Sequence, residues 1–221
     1  DLAGLWGAQL STFSAYGALQ PLTPLLQDGT LTPQTYKPYI WKIIAPEGIP
    51  YAASSTPAVV ALFWNKDHFR EAGLDPNRPP QSIKELDEYA AKLSVIDPKT
   101  KEIQRVGFLP NFPGWWDHDW GFFFGASLWD PTQQRYRLDT PQQAAAYTWY
   151  QSYAKRFGKE SVDNFSSGFG QFASPQNPFM SGKASMCLQG PWFANFIRIY
   201  NPKMIGHYGA APVPNNFGKP M

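Results

Sequence analysis

The chain is poor in the residues from which most recognisable chemistry is assembled. Cys187 is the only cysteine in 221 residues, which excludes an internal disulfide and any cysteine-cluster zinc site. His68, His118 and His207 are the only histidines. A metal held by Asp117-His118-Asp119 would need further ligands that only His68 and His207 could supply, so no metal and no cofactor is expected. Gly-x-Ser-x-Gly, a phosphate loop and His-Glu-x-x-His are all absent, and Gly168-Phe-Gly170 is too short to cradle a phosphate. No apolar run approaches the length of about 18 residues that marks a membrane-spanning helix. Asp1-Leu-Ala-Gly-Leu-Trp6 also lacks the basic start of a signal peptide. An excess of one charge is missing as well. Lys and Arg number 19 against 17 Asp and Glu, with no basic block, so nucleic acid is not an expected partner.

Aromatic residues are what the chain has in quantity. They make up 16% of it, nine Trp included, equal to the charged fraction. Such content suits either a large core or a surface that stacks on flat apolar ring faces. The stretch from Gly48 to Leu93 organises the rest. Ala58-Val-Val-Ala-Leu-Phe-Trp64 is too short and apolar for a typical helix and predicts a buried strand. Asp67 to Gly73 leaves room for a helical turn or two, stopped at Gly73. Pro79-Pro80 then forbids helix, Ser82 offers a cap, and Glu85 completes a capping box. The helix that follows carries Ile83, Leu86, Ala90 and Leu93 on one face.

Three segments of this unit, Ala61-Leu-Phe-Trp-Asn-Lys-Asp67, Glu71-Ala-Gly-Leu-Asp-Pro76 and Pro79-Pro-Gln-Ser-Ile-Lys-Glu-Leu86, resemble the signature of the extracellular solute-binding proteins of bacterial ABC importers. The likeness is greatest to the sugar-binding group with the maltose- and oligosaccharide-binding proteins. It implies an α/β, two-lobed Venus-flytrap fold, and the interleaved short strands and helices independently argue α/β. Residues 1–57 would be part of the N-terminal lobe, 58–64 the crossover strand, and 65–221 the C-terminal lobe up to the return hinge. The chain would be an internal fragment, because it opens as the end of a strand and Pro212 to Met221 stops in an unfinished loop. An apolar patch along Val59 to Phe63 would then lie exposed.

Elsewhere, Glu47-Gly-Ile-Pro-Tyr-Ala-Ala53 resembles a strand of that family, Asn111 to Trp129 would be a helix flanked by loops, and Pro141 opens a helix capped by Thr140 or Asp139. Ala146, Tyr150, Tyr153 and Phe157 form its stripe, and Gly158 stops it. Phe165 to Phe179 is broken by Ser, Gly and Pro. Ala184 to Leu188 is a strand, Gly190-Pro-Trp192 turns into a helix through Tyr200, and His207 to Ala211 is a last strand.

The resemblance also nominates a site. Met186-Cys-Leu-Gln-Gly-Pro-Trp192 matches a motif whose tryptophan stacks on sugar, and Gly190-Pro191 places Trp192 at a helix start, next to free amides. Trp6 and Gln9 occupy the place of a ligand-facing loop. Trp116, Asp117 and Trp120 lie in the cluster Trp115-Trp-Asp-His-Asp-Trp120, where carboxylates would accept from vicinal hydroxyls and rings would stack. Ser54, Ser55 and Thr56 precede the crossover strand and would face the cleft. The implied function is capture of a mono- or oligosaccharide by hinge closure and delivery to the permease subunits of an ABC importer. The implied protein is a monomer without enzymatic activity, placed in a periplasm or outside the cell, with a lipid anchor left open. The alternative is a fragment of a carbohydrate-active hydrolase using Asp117 and Asp119 as acid and base.

Overall fold

The computed structural model describes residues 2–56, 59–170 and 173–217. They fall into two compact units, Asp1–Ala58 and Val59–Met221. The boundary expected at 57/58 lies on residues outside those described.

The first unit is helical: α1 (Gly7–Ala15), α2 (Thr23–Gln27) and α3 (Pro38–Ile44), with 3-10 turns at Pro33–Thr35 and Pro46–Gly48. Pro24 and Pro38 stand in the first turns of α2 and α3, where proline costs no hydrogen bond. Leu10, Ile40 and Ile44 form its core. The strands expected at its beginning and at Glu47 to Ala53 are absent among the described residues. A strand needs a ladder partner. Instead, Tyr51 N–H donates to Ile44 O at 2.9 Å, and Pro50 O accepts from Leu22 N–H at 2.7 Å, which ties the segment to the end of α3 and to the start of α2.

The second unit runs β1 (Ala61–Asn65), α4 (Lys66–Glu71), α5 (Ile83–Leu93), β2 (Val95–Ile96), β3 (Ile103–Arg105), α6 (Trp120–Phe123), β4 (Trp129–Asp130), β5 (Arg135–Tyr136), α7 (Pro141–Phe157), α8 (Lys159–Ser167), β6 (Met186–Gln189), α9 (Trp192–Tyr200) and β7 (Tyr208–Pro212). Its main sheet has the order β6-β1-β7 with both pairings antiparallel. Side chains alternate across a strand. Leu62, Trp64, Met186 and Leu188 accordingly join a large core with Leu86 and Leu93 of α5 and Ala146 and Tyr153 of α7. Phe63 and Cys187 point the other way, into a smaller core with Phe179, Phe193 and Ile197.

This placement corrects one expectation. Leu62 is 0% and Phe63 3% exposed, because β1 is the central strand and both its faces are covered within the unit; of that stretch, Val59 is the open position.

Local signals explain the helix starts. Ser82 Oγ accepts from Glu85 N–H at 3.1 Å, but Glu85 turns its carboxylate to Gln81 N–H and Arg78, so the second half of the capping box is displaced by one residue. Thr140 caps α7 through Gln143 N–H at 3.2 Å. Between Asn111 and Trp129 only the four residues of α6 are helical. The hairpin β4–β5 and the helix α8 are additions that the sequence reading did not contain.

Candidate functional site

Trp192 is the first residue of α9, directly after Pro191, which has no side-chain cap to offer. Its ring lies on the backbone of Gly190: a Cβ at that glycine would meet Trp192 Cη2 at 2.2 Å. Glycine is therefore the residue that leaves room for the ring. Trp192 is half-buried against the smaller core, and its Nε1, itself buried, has no hydrogen-bond partner. An apolar ring face beside an unmet donor suits a ligand that combines C–H faces with hydroxyls.

Trp116 and Asp117 are also half-buried, and Trp116 Nε1 and Asp117 Oδ1 are buried without partners. One is a donor and the other an acceptor. Facing Asp117 is Tyr150 of α7, whose phenol is pushed up to about 12, first by burial and then by the charge of and hydrogen bonding to Asp117. Asp119 has its pKa raised by burial, opposed by the charge of His118, whose Nε2 lies 3.4 Å from Asp119 Oδ1. Among the described residues no group of three or more His, Cys, Asp or Glu could hold a metal ion.

Trp120 does not belong in the site. It is 0% exposed, donates Nε1–H to Pro110 O at 3.1 Å, and packs edge-to-face on Phe108 and Phe123. Its spacing from Trp116 gave no sign of this, because α6 turns it inward.

In the first unit, Trp6 is 73% exposed at the head of α1. Gln9 Oε1 accepts from Trp6 N–H at 3.2 Å, so this side chain closes the start of the helix. Thr56 is exposed, while Ser54 and Ser55 line a recess of about 530 Å³ with Thr35, Tyr36 and Lys37.

The sequence reading missed a cleft in the second unit. It has a volume of about 480 Å³ and is walled by Phe112, Trp115 and Phe169, with Asn111 and Ser166 as its polar groups. Phe112 and Phe169 meet edge-to-face at 5.6 Å, and Trp115 and Trp116 at 6.3 Å. The available signal was the Ser-, Gly- and Pro-broken stretch after Phe165, since breaker-rich loops that keep aromatics often carry binding residues.

A family model described as bacterial extracellular solute-binding protein matches residues 1–219. The chain belongs to this family. Among solved structures, it is 32% identical to CpMnBP1 with mannobiose bound, with a TM-score of 0.79 over 96% of this chain and 52% of that one. UgpB from Mycobacterium tuberculosis in complex with glycerophosphocholine is 20% identical, with a TM-score of 0.64 over 92% of this chain and 47% of that one, a likeness of fold alone. The sn-glycerol-3-phosphate-binding periplasmic protein UgpB of Escherichia coli K12 is 42% identical over 62 residues, 28% of this chain and 12% of that protein. The chain thus spans about half the length of these solved structures and less of that curated relative. The α/β fold is that of the two-lobed solute-binding proteins, with each lobe present in part. The family is one of binding proteins, not of hydrolases.

Proposed function

We propose that this chain is part of the substrate-capture component of an ABC importer, acting in the periplasm or on the outer face of the cell, and that it binds a mono- or oligosaccharide for delivery to the permease subunits. The observation that carries the sugar is Trp192: a half-buried indole laid over Gly190 at a helix start, with a buried N–H still to be satisfied. Pyranoses present an apolar face and a rim of hydroxyls, which answers both features. Mannobiose in a structure 32% identical supports the same choice. Trp116 and Asp117 are assigned to hydroxyl recognition and Trp6, Gln9 and Thr56 to the contribution of the first unit. Binding as a monomer, without catalysis, is part of the proposal.

The test is calorimetric titration of the full-length protein with mannobiose. Trp192→Ala should weaken binding by about 1 to 3 kcal/mol if stacking area is what is lost. Unchanged affinity in a folded variant removes Trp192 from the site. Incubation with the same sugar should release no product, and release abolished by Asp117→Asn would restore the hydrolase reading.

A further inference from the structure

We infer that Gln189 is a specificity-determining residue of the Trp192 site: its buried amide meets a pair of neighbouring ligand hydroxyls and so selects a neutral, polyhydroxylated ring. The inference rests on the sugar-binding reading above and adds to it a residue and the chemistry which that residue selects.

Gln189 is the last residue of β6 and is 0% exposed, yet neither its Oε1 nor its Nε2 has a hydrogen-bond partner among the described residues. Other buried polar side chains are answered. Asn65 accepts from Asp67 N–H at 2.9 Å, Asn177 from Phe179 N–H at 3.0 Å and Thr140 from Gln143 N–H at 3.2 Å, and Ser185 Oγ lies 3.0 Å from His68 Nδ1. Of Gln143, only Oε1 is unmet. A buried amide without partners costs the free protein stability, a cost that a Met or Leu of similar size would not incur. A polar group left in that state calls for a partner that arrives on binding.

The sheet register gives the amide its place. Gln189 stands opposite Ala61 of β1, as Cys187 stands opposite Phe63. Side chains alternate along a strand, so Gln189 projects to the face of Cys187, away from Leu188 and the large core. Phe63 and Cys187 belong to the smaller core, and both Ala61 and Trp192 pack against it. The backbone joins the two residues more closely still. Gly190 directly follows Gln189, and the Trp192 ring lies on it, with Cη2 2.2 Å from where a Cβ would stand. Trp192 Nε1 is likewise buried and unpartnered among the described residues. Two donor groups, Gln189 Nε2 and Trp192 Nε1, and one acceptor, Gln189 Oε1, are therefore unmet on one short turn of chain.

That set narrows the class of ligand. A side-chain amide donates and accepts side by side, which matches two neighbouring hydroxyls, each able to do both. An ionised carboxylate or phosphate offers acceptors only and leaves Gln189 Oε1 without a donor. An alkyl ligand leaves all three atoms unmet. A site that hydrogen-bonds a ligand hydroxyl rejects the analogue lacking it far more strongly than an apolar pocket rejects one methylene too many. Trp192 thus supplies contact area, and Gln189 supplies discrimination.

The experiment is calorimetric titration of the full-length protein with mannobiose and its monodeoxy analogues, in wild type, Gln189→Met, Gln189→Leu and Trp192→Ala, with melting curves of each without sugar. Gln189→Met and Gln189→Leu should lower affinity for mannobiose at least tenfold, while the melting temperature of the free protein is unchanged or higher because an unmet buried amide has been removed. At least one monodeoxy mannobiose should bind wild type at least tenfold more weakly than mannobiose, and should bind wild type and Gln189→Met alike, since the contact is already missing. Unchanged affinity in both variants overturns the assignment, whichever way the melting temperature moves. Lower affinity together with a lower melting temperature, or failure of both variants to fold, overturns it too, because the amide would then be holding the fold. If Trp192→Ala weakens mannobiose while the Gln189 variants do not, the sugar-binding reading stands without Gln189. Should the wild type fail to bind mannobiose, the sugar-binding reading itself falls.

Discussion

At the scale of single residues, the second unit holds a titratable group whose surroundings oppose its charge. His68, on α4, is half-buried with Nδ1 3.0 Å from the Oγ of fully buried Ser185. Burial first, and the Arg105 charge second, pull its pKa down to about 4, against smaller upward pulls from Glu71 and Asp67. The folded state therefore keeps the ring neutral where an unfolded chain, at 6.5, would already bind a proton. Because the unfolded state binds more protons, stability is fully present above pH 6.5 and is lost as pH falls from there towards 4. Solvent contact screens part of the shift, which leaves about 1 to 2 kcal/mol for the whole window. Denaturant melts of wild type and His68→Gln at pH 7.5 and 4.5 should show the wild type losing more on acidification than the variant. Equal losses would mean that the ring titrates normally in the folded protein.

At the scale of elements, helices α5 and α7 are joined by one carboxylate. Asp87 accepts from Trp149 Nε1–H at 2.9 and 3.0 Å and from Tyr153 O–H at 2.6 Å. Tyr153 is held well above the usual phenol range, by burial first and then by the Asp87 charge, and so stays a donor. Asp87→Ala leaves two such donors without an acceptor beside the Phe108 and Trp120 rings, and should cost about 2 to 4 kcal/mol. A loss under 0.5 kcal/mol in urea melts, about the size of an ordinary surface substitution, would show that water replaces the carboxylate. The elements themselves were legible where the deciding information is local. Ser82 and Thr140 announce their helices by caps, Gly73 and Gly158 adopt the positive φ angles of 70° and 79° expected of stops, and the stripe Ile83, Leu86, Ala90, Leu93 is buried throughout. What was not legible depends on partners far along the chain. Asp87 meets residues 62 and 66 positions away. Trp120 and Trp115 are alike in composition and neighbourhood, yet packing sends one to the core and the other to a cleft wall. The strand resemblance at Glu47 to Ala53 failed for a related reason, since a strand reports its partner as much as its own residues.

At the scale of the whole molecule, the two units differ in how much apolar surface each buries. The first has a core cluster of Leu10, Ile40 and Ile44, with Phe13 of α1 and its flanking residues Trp6 and Tyr16 exposed. The second has the large cluster around Leu62, Leu86 and Trp120 and another around Phe63 and Phe193. A segment of about 60 residues buries a smaller share of its surface than a longer one and is marginal even with a full core. Backbone ordering costs about 1 to 2 kcal/mol per residue, which the buried aliphatic side chains of this unit among the described residues, Leu10, Leu31, Ile40, Ile44 and Ala45, offset only in small part. Local opening of the first unit should therefore be far more frequent than that of the second. Thermolysin digestion of the 1–221 chain under native conditions, followed by mass spectrometry, should give early cuts within residues 2–56 and a persistent product that begins near Val59. Early cuts in α5 or α7, with residues 2–56 surviving intact, would reverse this order of stability. Trp6, Gln9 and Thr56 would then be held firmly enough within the 1–221 chain to meet a ligand there. If the order is as argued, any contribution of the kind proposed for them is reduced by the cost of ordering the first unit, and binding by this chain is weakened accordingly.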